Sequence, residues 1–188
     1  DIFNGQIDRD QLDAALSSAI GQDLYSGASA AFDFDDVTYD APDNILASKM
    51  RDNLYAFSAA KSFTQMKQMS ELLVDEEGRV RSFADFKREA EKVAQIHNVN
   101  WLATERNNAI ASGQMAAQWN RYQENKDLLP LLEYQTAGDE RVRDSHALLD
   151  GTVKPLDDPW WDRYYPPLDH GCRCDVSATG DVTNATLD

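Results

Sequence analysis

The chain has 188 residues, of which 42% are hydrophobic and 10% aromatic, a composition typical of a globular protein that buries its own core. Acidic residues outnumber basic ones by 33 to 18, which gives a net charge of −15 and argues against nonspecific nucleic-acid binding. No apolar run reaches the roughly 20 residues that cross a bilayer, so no membrane partner is expected. Because the chain begins with Asp1 instead of methionine, we expect a fragment or a processed product.

The N-terminal region carries much of the excess negative charge. The first 44 residues contain ten acids and one base, Arg9. We predict that this region is a solubilising or docking arm, with a contact for a basic partner as the alternative. Residues 27–43 interrupt the helical periodicity and predict an exposed loop or a short edge strand.

Apolar residues at helical spacing predict four helices in the first two-thirds of the chain. The first covers residues 8–24, and the second runs from about 44 to 73 behind Asp43 as its N-cap. Ser82 is the predicted N-cap of the third helix, and Asp85 completes an imperfect capping box.

The third helix is predicted to end in a break at residues 98–100, before a fourth helix over residues 101–127. His97 lies on the polar side of the helix end and is predicted to be solvated. After Pro130 the pattern alternates, and three short strands are predicted, at residues 132–136, 151–154 and 172–178. Because helices and strands occupy separate parts of the chain, the predicted fold class is α+β, with a small antiparallel, loop-rich C-terminal module.

Four candidate metal ligands lie in the C-terminal third: His146, His170, Cys172 and Cys174. A disulfide between residues i and i+2 would close a small strained ring, so both thiols are predicted to be reduced or metal-bound, as in a cytoplasmic protein. On a strand both sulfurs would point to the same side, and zinc prefers nitrogen and sulfur donors. The sequence therefore predicts a zinc ion that staples the C-terminal module. The alternative is a pair of small, inert cysteines with solvent-facing histidines.

Neighbouring acids leave two further interpretations open. Asp150 and Asp169 are alternative oxygen ligands, or partners that orient a histidine. In a catalytic interpretation, His146 with Asp144 or Asp150 is a general base with its orienting carboxylate, and nearby arginines stabilise a phosphate: Arg141, Arg143 and Arg173. That site would belong to a nuclease-type effector or toxin. Because no nucleophile motif, phosphate loop or paired-carboxylate motif accompanies it, a non-enzymatic protein is favoured.

A loop rich in proline and aromatic residues separates the last two predicted strands. Its large side chains are Trp160, Trp161, Tyr164 and Tyr165. They are predicted either to pack the loop against the helices, with at least one tryptophan in the core, or to anchor an interface.

Several blocks in a fixed order resemble the phage Mu F-like minor head proteins, also called phage head-morphogenesis proteins. The blocks are ATE at 103–105, EYQT at 133–136, DERVRDSH at 139–146, LDG at 149–151, DP at 158–159, PP at 166–167 and CRC at 172–174. The likeness covers about residues 90–177. Many members have a histidine three positions before the first cysteine, where this chain has Asp169. The comparison therefore favours His146, Cys172 and Cys174 as ligands over His170.

The resemblance implies a protein of tailed-phage or prophage origin, found in the virion and in the bacterial host cytoplasm. Its expected partners are portal or capsid proteins, during assembly or DNA delivery, and no enzymatic activity is implied. A related domain also occurs at the head of phage-borne polymorphic toxins, where it serves delivery. The expected division is an acidic arm and helical region over 1–80, a Mu F-like domain over 81–178 and a flexible tail over 179–188.

Overall fold

The structure, a computed structural model, describes residues 2–7, 11–32 and 42–180. Most of the acidic loop predicted over residues 27–43 and most of the tail predicted over 179–188 lie outside this part of the chain. Within the described ranges, no helix is both long enough and apolar enough to cross a membrane.

Four long helices form near the predicted positions: α1 (Ala14–Ser29), α2 (Pro42–Glu71), α3 (Phe83–Gln95) and α4 (Leu102–Glu124). The first ends five residues later than predicted, and the second begins before Asp43, which lies in its first turn and is not its N-cap. Ser82 is confirmed as the N-cap of α3: its Oγ accepts a hydrogen bond from the Asp85 amide at 3.2 Å and donates one to the Asp85 carboxylate at 2.7 Å. The bond from the Asp85 amide satisfies one of the free amides in the first turn of the helix.

The break predicted at residues 98–100 is wrong. A π-helical segment, Ile96–Trp101, carries the chain without interruption from α3 into α4. Asparagines favour turns in isolation, but the segment contains His97, whose side chain is buried and hydrogen-bonded. Tertiary burial therefore outweighs the local preference.

The C-terminal part is a small three-stranded antiparallel sheet with two short helices. The strands are β1 (Leu131–Gln135), β2 (Val153–Pro155) and β3 (Asp175–Thr179), in the order β2-β1-β3. The helices α5 (Asp144–Ala147) and α6 (Trp161–Tyr164) lie in the connections. The predicted α+β class is confirmed, with helices first and a C-terminal sheet after them.

The chain divides into two compact units. The first combines Asp1–Gly27 with Ser48–Ala109, and the second combines Ala28–Ala47 with Ile110–Asp188. The domain division expected at residues 80 and 178 stays a prediction.

The second unit has an aromatic core centred on the sheet. Leu132 and Tyr134 on β1 and Val176 on β3 are almost fully buried, together with Trp161 from α6. The Trp161 indole donates a hydrogen bond to the Pro155 carbonyl at 2.9 Å. The aromatic loop therefore packs against the sheet as well as against α4, whereas the sequence predicted packing against the helices. The prediction of a core tryptophan is confirmed by Trp161.

The second unit also contains a close approach between helix backbones. A Cβ atom added to Gly113 on α4 would lie 2.2 Å from the carbonyl oxygen of Ala28 on α1. Asn120, two turns further along α4, hydrogen-bonds the carboxylate of Asp43. Residues upstream of α4 are therefore packed into this unit through backbone and side-chain contacts.

The first unit has an unusually polar interior. Lys61 forms an ion pair with Glu105, and the two side chains are only 4% and 12% exposed. His97 is 2% exposed, so its predicted solvation is wrong, and its Nε2 lies 2.7 Å from the Gln68 side-chain oxygen. Burial lowers the pKa of His97, and the positive charge of Lys61 adds to that effect. Burial therefore favours the neutral form of this histidine, although the negative charge of Glu105 acts in the opposite direction.

We expect Glu105→Gln to lower the free energy of unfolding by about 3 kcal/mol, because it leaves the Lys61 ammonium buried without a counter-charge. The double variant Lys61→Met with Glu105→Leu should recover much of that loss, since neither charge then remains inside. Urea unfolding followed by circular dichroism measures both. As a control, Glu91→Gln removes an exposed pair with Lys87 and should cost about 0.5 kcal/mol or less. Equal losses for Glu105→Gln and Glu91→Gln would contradict this account.

Candidate metal centre

A single short helix presents the histidine of the site. The Val142 amide donates to the Asp139 carbonyl at 3.0 Å, which closes a turn, and Arg143 then caps α5 in an extended conformation. His146 lies on the buried side of this four-residue helix and is 5% exposed. Sequence periodicity could not predict α5, because one turn of helix contains too few residues to show a repeat.

Both cysteine sulfurs converge on this histidine. Cys172 and Cys174 lie in the segment immediately before β3, not on the strand where they were predicted. The Nδ1 atom of His146 is 3.8 Å from the Cys172 sulfur and 3.5 Å from the Cys174 sulfur. The three potential ligand atoms all lie within 4.8 Å of one another. The structure therefore brings together three of the four residues proposed as ligands.

His170 is the candidate that does not join this group. Its side chain is exposed, and within the described residues the metal-ligand cluster contains His146, Cys172 and Cys174 without it. The backbone of His170 has a structural role instead, since its carbonyl accepts a hydrogen bond from Arg143 at 2.9 Å.

The two neighbouring acids have different positions. An Asp169 carboxylate oxygen lies 3.6 Å from His146 Nε2, on the opposite side of the ring from the sulfurs. Asp150 accepts hydrogen bonds from the Thr136 amide at 2.6 Å and the Thr136 hydroxyl at 2.8 Å, and so holds the end of β1. Asp169 is therefore the acid placed to orient the histidine.

Two arginines tie the loops around the site together. Arg143 donates to Asp169 at 2.6 Å, in addition to its bond with the His170 carbonyl. Arg173, between the cysteines, binds the Asp139 carboxylate with two hydrogen bonds of 2.8 and 2.5 Å. The Arg173 hydrogen bonds hold the pKa of Asp139 well below its usual range. The segment before β3 is thus fastened to the loop that leads into α5.

Tyr134 on the central strand closes the inner side of the site. It has no solvent exposure, and burial raises the pKa of its hydroxyl, with the neighbouring Cys174 adding to the rise. Among the described residues, that hydroxyl has no conventional hydrogen-bond partner. Burial also raises the pKa of the Cys174 thiol, while the interaction with the Tyr134 hydroxyl lowers that pKa. Tyr134 lies within the predicted strand over residues 132–136, but its proximity to Cys174 depends on strand register that local sequence does not reveal.

The spacing and the space at this site suit one small ion. Zinc with tetrahedral geometry would separate a nitrogen ligand from a sulfur ligand by about 3.5 Å, from bond lengths near 2.0 and 2.3 Å. The observed separations of 3.8 and 3.5 Å are close to that value. The adjoining cavity, lined by His146 and both cysteines, has a volume of about 10 Å³. It admits roughly one ion or water molecule.

The fold and the site together define a class of α+β protein. In this class, helices precede a small C-terminal sheet, and a Cys-Arg-Cys segment faces a histidine. The family model described as "Phage Mu protein F like protein" matches residues 47–177, more than half of the chain. The chain therefore belongs to this family, which confirms the resemblance seen in its sequence blocks.

Two curated relatives support the same assignment. The "Mu-like prophage FluMu F protein" of Haemophilus influenzae is 44% identical over 63 residues, which are 34% of this chain and 15% of the relative. The "Putative capsid assembly protein F" of Escherichia phage Mu is 32% identical over 108 residues, or 57% of this chain and 22% of the relative. The matched part is thus less than a quarter of either relative. No solved structure matches the chain.

We expect Arg173→Gln to raise the pKa of Asp139 toward the ordinary value of about 3.9, because the variant loses the paired guanidinium. Because folding lowers this pKa, the pair stabilises the fold above about pH 4, and the contribution is lost as pH falls through the lowered value. The carbon-13 chemical shift of the Asp139 carboxyl, followed by NMR as the pH is varied, measures the change. The native carboxyl should remain ionised at pH 3. Arg163→Gln is the control, since that guanidinium lies over the Tyr164 ring. Identical titration curves of Asp139 in the native chain and in Arg173→Gln would contradict the assignment of Arg173 as the cause of the lowered pKa.

Proposed function

We propose that this chain is part of a minor head protein of a tailed phage or prophage, which contacts portal or capsid proteins during head assembly or DNA delivery. The observation that carries the proposal is membership of the Phage Mu protein F like family over residues 47–177. The phage Mu relative is itself described as a capsid assembly protein. In this role the protein is present in the virion and, before assembly, in the host cytoplasm.

The charge of the chain suits docking to protein surfaces better than binding to packaged DNA. A net charge of −15 repels the phosphate backbone and favours association with a basic protein face. The acidic surface is therefore a candidate contact for positively charged regions of a portal or capsid subunit.

The contacts around His146 support a structural role and not a catalytic one. The three arginines considered for phosphate binding all face carboxylates: Arg141 and Arg173 pair with Asp139, and Arg143 pairs with Asp169. His146 itself is buried, with thiols on one side and Asp169 on the other. A phosphodiester would have to displace these partners before it reached the imidazole. We therefore propose that the site maintains a shape and does not turn over a substrate.

The head role predicts that the protein containing this chain is incorporated into phage particles. Particles purified from an induced lysogen that carries a tagged copy should contain the tag, and mild disruption should release it together with portal or capsid protein. An uninduced culture expressing the same tagged protein is the control for nonspecific capture. Mature, DNA-filled particles and assembly intermediates that both lack the protein would overturn the proposal.

The non-enzymatic assignment predicts no nuclease activity. Purified full chain incubated with DNA or RNA and Mg²⁺, Mn²⁺ or Zn²⁺ should leave the nucleic acid intact on a gel. His146→Ala is the matched variant, because a contaminating nuclease would act equally in both preparations. Degradation by the native chain that disappears in His146→Ala would instead establish the nuclease-type effector.

A further inference from the structure

We propose that His146 Nδ1 and the sulfurs of Cys172 and Cys174 bind one Zn²⁺ ion, and that Asp169 is the residue that positions His146 for binding. This inference is independent of the head role, because it rests on the local arrangement of donors. The ion would join α5 to the segment before β3, across 26 and 28 residues of sequence.

The donor set and its spacing select the metal. Thiolate and imidazole ligands suit zinc and disfavour magnesium and calcium, which prefer oxygen. The nitrogen–sulfur separations of 3.8 and 3.5 Å match the edge of a tetrahedron around zinc, as calculated above. Three protein donors leave one coordination position open, and the cavity of about 10 Å³ that His146 and both cysteines line has room for the ion itself.

Asp169 determines which ring nitrogen of His146 is available. Its carboxylate lies 3.6 Å from Nε2, and its other oxygen is fixed by Arg143 at 2.6 Å. A proton on Nε2 is therefore stabilised, which leaves the lone pair of Nδ1 directed at the sulfurs. Carboxylates that contact the far nitrogen of a ligating histidine in this way set its tautomer and ring orientation.

The buried Tyr134 hydroxyl faces a stronger acceptor in this arrangement. It already interacts with the Cys174 side chain, but no hydrogen bond of normal geometry forms to it among the described residues. A metal-bound Cys174 carries thiolate charge, and a thiolate is a stronger acceptor than a thiol. The hydroxyl would then donate to that sulfur, which satisfies a buried polar group that is otherwise costly.

The surroundings explain why a cross-link is useful here. Between β1 and β3 the chain forms only short elements, namely α5, β2 and α6. The loop beside the site is held mainly by exposed ion pairs, which contribute little stability individually. An open cleft of about 490 Å³, also lined by both cysteines, gives a hydrated ion a path to the donors. The ion would therefore fix loops that the hydrophobic core does not reach.

Metal content of the full chain tests the ligand assignment. Protein purified with zinc and dialysed against metal-free buffer should retain about one zinc per chain by mass spectrometry. His146→Gln, Cys172→Ser and Cys174→Ser should each lose it. His170→Gln, which changes an exposed neighbouring histidine, is the matched control and should keep it. Native protein that binds no zinc, or His170→Gln that loses it, would overturn the assignment.

Because a ligand variant can fail to fold, the native chain provides a second measurement. Removing zinc with a chelator should lower Tm, and adding zinc should restore it. Co²⁺ should give a thiolate charge-transfer band with the native chain and no such band with Cys172→Ser. An unchanged Tm without zinc, or a cobalt spectrum without thiolate absorption, would show that the short nitrogen–sulfur contacts are thiol–imidazole hydrogen bonds.

Asp169→Asn tests the positioning role. We expect it to weaken zinc binding by roughly 10- to 100-fold in competition with a chromophoric chelator, with one zinc still bound at saturation. The cobalt thiolate band should not change, because both sulfurs remain ligands. Asp162→Asn, an exposed acid on α6, is the control and should bind zinc like the native chain. Native affinity in Asp169→Asn, or a changed cobalt coordination, would refute a positioning role.

Discussion

The antiparallel pairing of β1 with β3 is the constraint on which the C-terminal unit depends. It aligns Tyr134 with Val176 and Gln135 with Asp175, residues that are about 40 positions apart in the chain. Because Cys172 and Cys174 directly precede β3, this register places them beside the C-terminal end of β1. A slip by one residue would turn Tyr134 out of the core and separate it from Cys174. The sheet register and the candidate metal site are therefore specified together.

Around the paired strands β1 and β3, charged groups and apolar groups contribute differently to the structure. The aromatic cluster supplies burial, since Trp161 and Tyr134 are almost inaccessible to solvent. The arginine–carboxylate pairs are more exposed than the aromatic cluster and add little stability individually, but they fix the orientation of the loops that they join. Arg173 can reach Asp139 with both nitrogens only when the segment between the cysteines has one conformation. Burial thus determines that the unit folds, and the ion pairs determine how its loops are arranged.

Elements with a repeating pattern of apolar residues were predicted from the sequence, whereas features without such a pattern were not. The period of apolar residues located four long helices, and Ser82 marked the start of α3. The alternation at Leu132 and Tyr134 located β1 within one residue of its observed start. The burial of His97 was missed, because a polar residue at a helix end gives no signal when its partners come from another helix. All four candidate ligands were identified from residue type and spacing, and the family resemblance already favoured three of them over His170, whose side chain lies outside the cluster. The zinc ion itself stays a prediction.

The contact between Gly113 and Ala28 has a consequence for where the C-terminal unit can be cut. The family match begins at residue 47, but the compact unit also includes residues 28–47. Ala28 is fully buried, and its carbonyl lies where any side chain at position 113 would stand. A truncation that starts at the family boundary would therefore uncover the face of α4 that surrounds Gly113, and would leave Asn120 without Asp43. The compact unit in the structure and the segment defined by sequence similarity therefore have different boundaries.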